Sequence, residues 1–155
     1  MELTKMGPEW VIPLKNFLDD IESNGDAKFF SPHASDELEL RARAAHTGRD
    51  LYLLLVDMRR VLGYGLLRGW DDGYTIPSLG IALHPSVRGT GFASALMAFL
   101  HAEARHRAAE RVRLRVHFEN ARAISIYTRF GYQFTPDATR SDYLVGFKDL
   151  SKAAT

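Results

Sequence analysis

Arg88-Gly89-Thr90-Gly91 lies between an apolar run, residues 79–83, and a helical pattern that begins at Phe92. A strand that breaks at a glycine turn and opens a helix leaves the helix's first backbone N–H groups unpaired. The aligned peptide dipoles add partial positive charge at the same corner. Such a corner holds phosphate without many charged side chains, and a diphosphate is the group it suits. Read blandly, the four residues are only a tight strand-to-helix connection. Two other groupings could do chemistry. Arg113, Arg115 and His117 alternate with Val112, Leu114 and Val116, which sets a basic row on one strand face. This row is either a solvated face or an attractor for an anionic ligand. Phe29, Phe30 and His33 crowd one loop. Adjacent phenylalanines there either tuck under as core or line a pocket.

The elements that must position these groups follow from periodicity. Residues 2–6 read as a short strand. Trp10, Val11, Leu14, Phe17, Leu18 and Ile21 recur at helical spacing, with Pro13 early enough to be tolerated. Ser35 is placed to cap a second helix, which Thr47-Gly48 stops. Residues 51–56 are a strand buried on both faces. With 61–67 they make a hairpin, and 75–83 is the next strand. Gly63, Gly65 and Gly80 inside these strands predict bulges or close backbone approach. A helix runs from Phe92 to about residue 108, with His101 and His106 on its exposed side. The strand 112–118 then lies parallel to 79–83, because a helix connects them. Asn120 caps a helix over 120–130, a strand starts at Gln133-Phe134, and 141–147 is a last strand before a tail at 150–155. The expected fold is α+β: one domain over 1–155, with a central mixed, mostly antiparallel sheet of six to seven strands and helices on both faces.

Bulk composition narrows the function classes. The 155 residues are 46% hydrophobic and 25% charged, the profile of a globular domain, with net charge +1. No global field draws such a chain to nucleic acid or an anionic membrane. Cysteine is absent, which removes disulfides, thiolate metal sites and a cysteine nucleophile. The six histidines show no metal-ligand spacing, so no metal is expected. Neither a signal peptide nor an apolar run near the ~20 residues of a membrane span is evident. A cytoplasmic protein is expected.

The segment Arg88-Gly89-Thr90-Gly91-Phe92-Ala93 resembles the acyl-CoA signature of the GNAT superfamily of N-acetyltransferases: Arg or Gln, two residues, Gly, one residue, then Gly or Ala. Asn120, Ala123, Tyr127 and Phe130-Gly131-Tyr132 are similar to that family's Asn-x-x-Ala-x-x-x-Tyr segment and its Gly-aromatic turn. Residues 50–135 carry the likeness; the first 48 match only in element order.

The resemblance implies acetyl-CoA as co-substrate and direct transfer to an amine in a ternary complex. Backbone N–H groups of Arg88, Gly89, Thr90, Gly91, Phe92, Ala93 and Ser94 would wrap the diphosphate. The main chain of Ala82 and Leu83 would pair with the pantetheine arm, and a neighbouring N–H would steady the oxyanion. The strands 79–83 and 112–118 would splay to admit that arm. Asn120 would hydrogen-bond it, Ala123 would leave it room, and Tyr127 would protonate the departing thiolate. The base is open among His33, Asp72, His117 and Glu119, with His117 favoured by position and by an unperturbed pKa of about 6.5. Phe29, Phe30, His33 and Tyr74 are the expected acceptor contacts, and Trp70 could stack beside them. The acceptor is expected to be a small polar amine such as an amino sugar, free or nucleotide-linked. The alternatives are a protein N-terminus or lysine, or a non-catalytic acyl-CoA sensor. A dinucleotide fold fits poorly, because Ser94 stands where the third glycine of GxGxxG belongs. The edge of 141–147 is available to pair with a second copy.

Overall fold

The computed structural model describes residues 1–26 and 28–150. Its centre is the hairpin of β2 (Leu51–Asp57) and β3 (Arg60–Arg68), whose residues are buried alternately on two faces. Tyr52, Leu54, Val56, Tyr64 and Leu66 face one core, and Leu51, Leu53, Leu55 and Leu67 face the other. An apolar run therefore works here as two interleaved period-two patterns.

The first core is roofed by α1 (Val11–Ser23) and α2 (Glu37–Ala44). Val11, Leu14, Phe17, Leu18 and Ile21 of α1 are all buried there, each worth about 1.5–3 kcal/mol relative to exposure. Asp36 caps α2, its Oδ1 accepting Glu39 N–H at 3.0 Å, in place of the expected Ser35. The second core lies under α3 (Phe92–His106) and α4 (Ala121–Arg129). Helices thus cover both faces, as expected.

Seven strands form one sheet in the order β1-β2-β3-β4-β5-β7-β6. The strands not yet given are β1 (Glu2–Lys5), β4 (Ser78–Leu83), β5 (Arg111–His117), β6 (Gln133–Pro136) and β7 (Tyr143–Asp149). Every pairing is antiparallel except β4 with β5. That parallel pair makes a single register contact, Ser78↔Arg113. Beyond it the two strands diverge.

Several sequence expectations are corrected. β4 begins at Ser78, not at 75, because Trp70–Asp72 forms a 3-10 turn and the chain straightens only after it. β7 lies between β5 and β6, so the outer strand is β6 and the expected free edge of 141–147 is covered. His101 is buried at 2% exposure, its Nε2 2.8 Å from the Tyr132 hydroxyl. α3 ends at His106, since Ala108 adopts a left-handed φ of 64°. Leu150 packs into the core, its N–H bonded to the Glu110 carbonyl at 2.8 Å, and residues 151–155 lie outside the described residues.

Of the strand glycines, Gly65 and Gly63 behave as expected, whereas Gly80 pairs in regular register with Leu66 and a Cβ there would meet nothing nearer than 3.5 Å. A Cβ on Gly65 would meet Leu100 Cδ1 at 3.0 Å and Leu96 Cδ1 at 3.2 Å, so α3 rests directly on bare backbone. Near Gly63 the β2–β3 register shifts between Leu55 and Val56, a bulge. The Leu62 carbonyl there accepts His84 N–H at 2.8 Å and so anchors the end of β4.

Candidate active site

Where β4 and β5 part, a cleft of about 560 Å³ opens. Its walls come from β4, the turn after it, β5, the first turns of α4, and the loop between α1 and α2. The chain leaves β4 through His84-Pro85, and a 3-10 turn over Pro85–Val87 swings it toward α3.

Gly89 and Gly91 have φ of 75° and 89°. Side chains rarely adopt this left-handed conformation, and glycine adopts it freely. Added Cβ atoms would meet nothing within 4 Å, so backbone conformation rather than crowding requires glycine. Gly91 caps α3 with no side-chain hydrogen bond. The first N–H groups of α3 therefore face outward with the positive end of the dipole. An open, uncapped helix start beside a long cleft fits the diphosphate and arm of CoA.

Arg88 braces this corner. Its Nε and Nη2 donate to the Leu83 carbonyl at 3.2 and 3.1 Å, and Nη2 reaches Asp26 Oδ2 at 2.8 Å. Partial burial opposes ionisation of Asp26. Hydrogen bonds from Asn24 and Arg88 and the charges of Arg88 and Arg122 outweigh it, holding this carboxyl below the usual range. The Asp26 carbonyl in turn accepts the N–H groups of Phe29 and Phe30 at 2.9 and 3.1 Å.

Tyr127 comes from α4 and lines the cleft from below. It is 7% exposed, and burial pushes its phenol pKa well up, so it stays protonated. Its ring leans on Tyr132 at 5.8 Å, and Tyr132 is itself fixed by His101. Asn120 caps α4, its Oδ1 accepting Ala123 N–H at 3.3 Å, and its amide N–H₂ has no hydrogen-bond partner among the described residues.

The cleft brings together Phe29, Phe30, Ala82, Leu83, Arg88, Gly89, Ala93, Asn120, Ala123 and Tyr127. Thr90, Gly91 and Ser94 lie beyond its lining at the mouth, while Phe92 packs against the core under α3. Tyr74 is 68% exposed beside the 3-10 turn after β3, at the opposite end of β4 from the glycine corner. Trp70 is buried between the guanidinium groups of Arg49 and Arg107, at 5.4 and 5.6 Å, so it cannot stack on a ligand.

The base candidates separate clearly. His33 sits behind Phe30, Nδ1 on the Ala34 carbonyl at 2.7 Å and Nε2 on the Tyr64 hydroxyl at 2.8 Å. Burial lowers its proton affinity, and the charges of Arg43 and Arg68 act the same way. Asp72 lies in the 3-10 turn, away from the cleft. His117 stands at the rim, 5.6 Å from the Phe29 ring, and its Nδ1 accepts Glu119 N–H at 3.1 Å. That bond uses the single lone pair of a neutral imidazole. Glu119 itself lines the cleft. Arg115, one of the basic row the sequence offered as a solvated face or an anion attractor, lines the cleft, and so does Asp26, which the sequence did not single out.

Comparison with known proteins agrees with this geometry. The model described as "Acetyltransferase (GNAT) family" matches residues 17–132. The ribosomal-protein-S18-alanine N-acetyltransferase from Escherichia coli superposes with a TM-score of 0.73 at 17% identity, over 99% of this chain and 96% of that one. The PaiA N-acetyltransferase from Thermoplasma acidophilum, solved with coenzyme A, gives 0.80 at 16%, over 96% and 98%. The ribosomal-protein-alanine N-acetyltransferase from Brucella melitensis gives 0.73 at 19%, over 96% and 99%. At such identities the likeness is one of fold. A search of curated proteins found no match.

Proposed function

This chain belongs to the GNAT family of acetyltransferases, and from that premise we propose that it moves an acetyl group from acetyl-CoA to a primary amine in a ternary complex. One observation carries the reading. A single cleft runs from Gly89 and Ala93, which flank the uncapped start of α3 at Gly91, to a buried, protonated phenol, Tyr127, along a strand left without its parallel neighbour.

Acetyl-CoA supplies an activated acyl thioester. The amides after Arg88 bind its diphosphate, and the main chain of Ala82 and Leu83 holds its arm as a neighbouring strand would. Asn120 donates its amide to the same arm. As the amine nitrogen bonds to the acyl carbon, the carbon–sulfur bond breaks, and Tyr127 gives its proton to the sulfur. The amine's surplus proton leaves through Glu119 to water, and the Tyr127 phenolate takes a proton back from water, so the phenol is regenerated. Glu119 takes this role rather than His117, whose lone pair is occupied by the Glu119 amide. Phe29 and Phe30 wall the acceptor, a small polar amine such as an amino sugar.

The test is paired. CoA and NAD are titrated separately and melting is followed, then thiol release from acetyl-CoA is measured with a panel of amines. Stabilisation by CoA with amine-dependent thiol release supports the reading. Stabilisation by NAD alone, or CoA binding with no release from any amine, overturns it, the latter in favour of a sensor.

A further inference from the structure

Register places three arginines on one face of the sheet beside the end of the cleft away from the glycine corner, where Arg115 alone of them lines it. Arg68 of β3 stands opposite Ser78 of β4, and Ser78 opposite Arg113 of β5. Arg115 follows two residues along β5 and lines the cleft. Cross-strand partners share a face. With strands about 4.8 Å apart and same-face neighbours about 7 Å apart, the three backbones lie within roughly 10–12 Å of one another. On this face the loop between α1 and α2, not a helix core, meets β3 and β5: the Pro32 carbonyl accepts from Arg68 at 2.7 Å and the Phe29 ring lies 5.6 Å from that of His117.

Matching each nearby carboxylate to its partner leaves a surplus of positive charge. Asp26 is held by Arg88, Glu39 by Arg43, Glu119 by Lys28 at 4.0 Å, and Asp137 by Arg115 at 2.6 Å. Among the described residues Arg68 has one hydrogen-bond partner, the Pro32 carbonyl at 2.7 Å. The Arg113 guanidinium has no hydrogen-bond or ion-pair partner among the described residues. Two uncompensated arginines beside a cleft concentrate anions there, and the planar guanidinium suits carboxylate and phosphate alike.

We infer that the acceptor is a primary amine that also carries an anionic group, a carboxylate or a phosphate, seated on Arg68 and Arg113 while the amine faces the thioester. The inference rests on the transferase reading above and sharpens its acceptor. The same positive charge would favour the reactive form of the amine, since nearby cations disfavour an ammonium.

The experiment uses matched amines: ethanolamine as the neutral parent, O-phosphoethanolamine and β-alanine as the anionic members. Thiol release should show an anionic member with kcat/KM about 10- to 100-fold above ethanolamine, the worth of a charge-assisted pair. Whichever of the two leads identifies phosphate or carboxylate. Arg113→Gln should erase that preference, and Arg113→Lys should restore part of it. Equal or better use of ethanolamine, or a preference unchanged in Arg113→Gln, overturns the anion site and leaves the transferase standing. Calorimetry with the N-acetylated products on CoA-saturated protein gives a readout that needs no turnover. Arg113-dependent product binding without thiol release keeps the anion site and sinks the transferase. No Arg113-dependent binding of either product, with release from the neutral amine, does the reverse.

Discussion

Asp26 Oδ2 lies 2.8 Å from Arg88 Nη2, linking the loop that carries the aromatic acceptor walls to the corner that would hold the diphosphate. The two residues are 62 positions apart, yet one carboxylate orients both ends of the cleft. Asp26→Ala should therefore raise the Kd for CoA and the KM for the amine together, each about three- to tenfold, less than the worth of the charge-assisted bond itself because the pair positions both loops rather than bonding to either ligand. Calorimetry and steady-state kinetics measure the two effects. A change in only one of them means the loops are not coupled through this pair.

Tyr127→Phe removes the proton for the thiolate while keeping the ring against Tyr132. We expect kcat to fall about 100-fold, at the low end for a general acid, with CoA affinity within about twofold of wild type. Retained kcat would mean that water protonates the sulfur.

Gly91→Ala places a Cβ on a backbone held at φ 89°. The strain should cost about 1–2 kcal/mol of stability and loosen CoA binding by roughly tenfold, because the amide fan of the corner must shift. Denaturant melts and CoA titration follow both. Unchanged CoA affinity would show that the corner does not bear on the diphosphate.

His101 gives a pH dependence whose sign is fixed by burial. Burial, aided by the charges of Lys148 and Arg105, lowers its folded-state pKa from 6.5 to about 4. The unfolded chain takes up the proton first as pH falls. Stability from this group is therefore full above pH 6.5 and is lost progressively toward pH 4. The loss is on the order of 3 kcal/mol by the acid end. Denaturant unfolding at several pH values should show this slope, and His101→Phe should flatten it while weakening the protein at neutral pH by orphaning the Tyr132 hydroxyl. An equal acid slope in that variant would place the effect elsewhere.

Element types were legible where period decides them. Alternation of Val112, Leu114 and Val116 with Arg113, Arg115 and His117 gave β5 and its basic face. The glycine corner was legible from local chemistry alone. What escaped the sequence depends on contacts distant in the chain. His101 follows Met97 and precedes Ala104 on the buried face of α3; its helical spacing was visible, but its polarity suggested solvent, and only Tyr132 makes that burial tolerable. The place of β7 between β5 and β6 is a choice of neighbour, which a hairpin's own residues leave open. The Asp26–Arg88 tie, likewise, has no local signal.

A sheet with six neighbouring pairs is joined at one of them by a lone rung, Ser78↔Arg113. Mechanically it is two leaves on a pin, β1 to β4 on one side and β5, β7 and β6 on the other, kept together by the helices beneath. Any occupant whose amides bond along the gap stitches the leaves, so filling the gap and stiffening the fold become one event, and occupancy adds to the protein's resistance to unfolding.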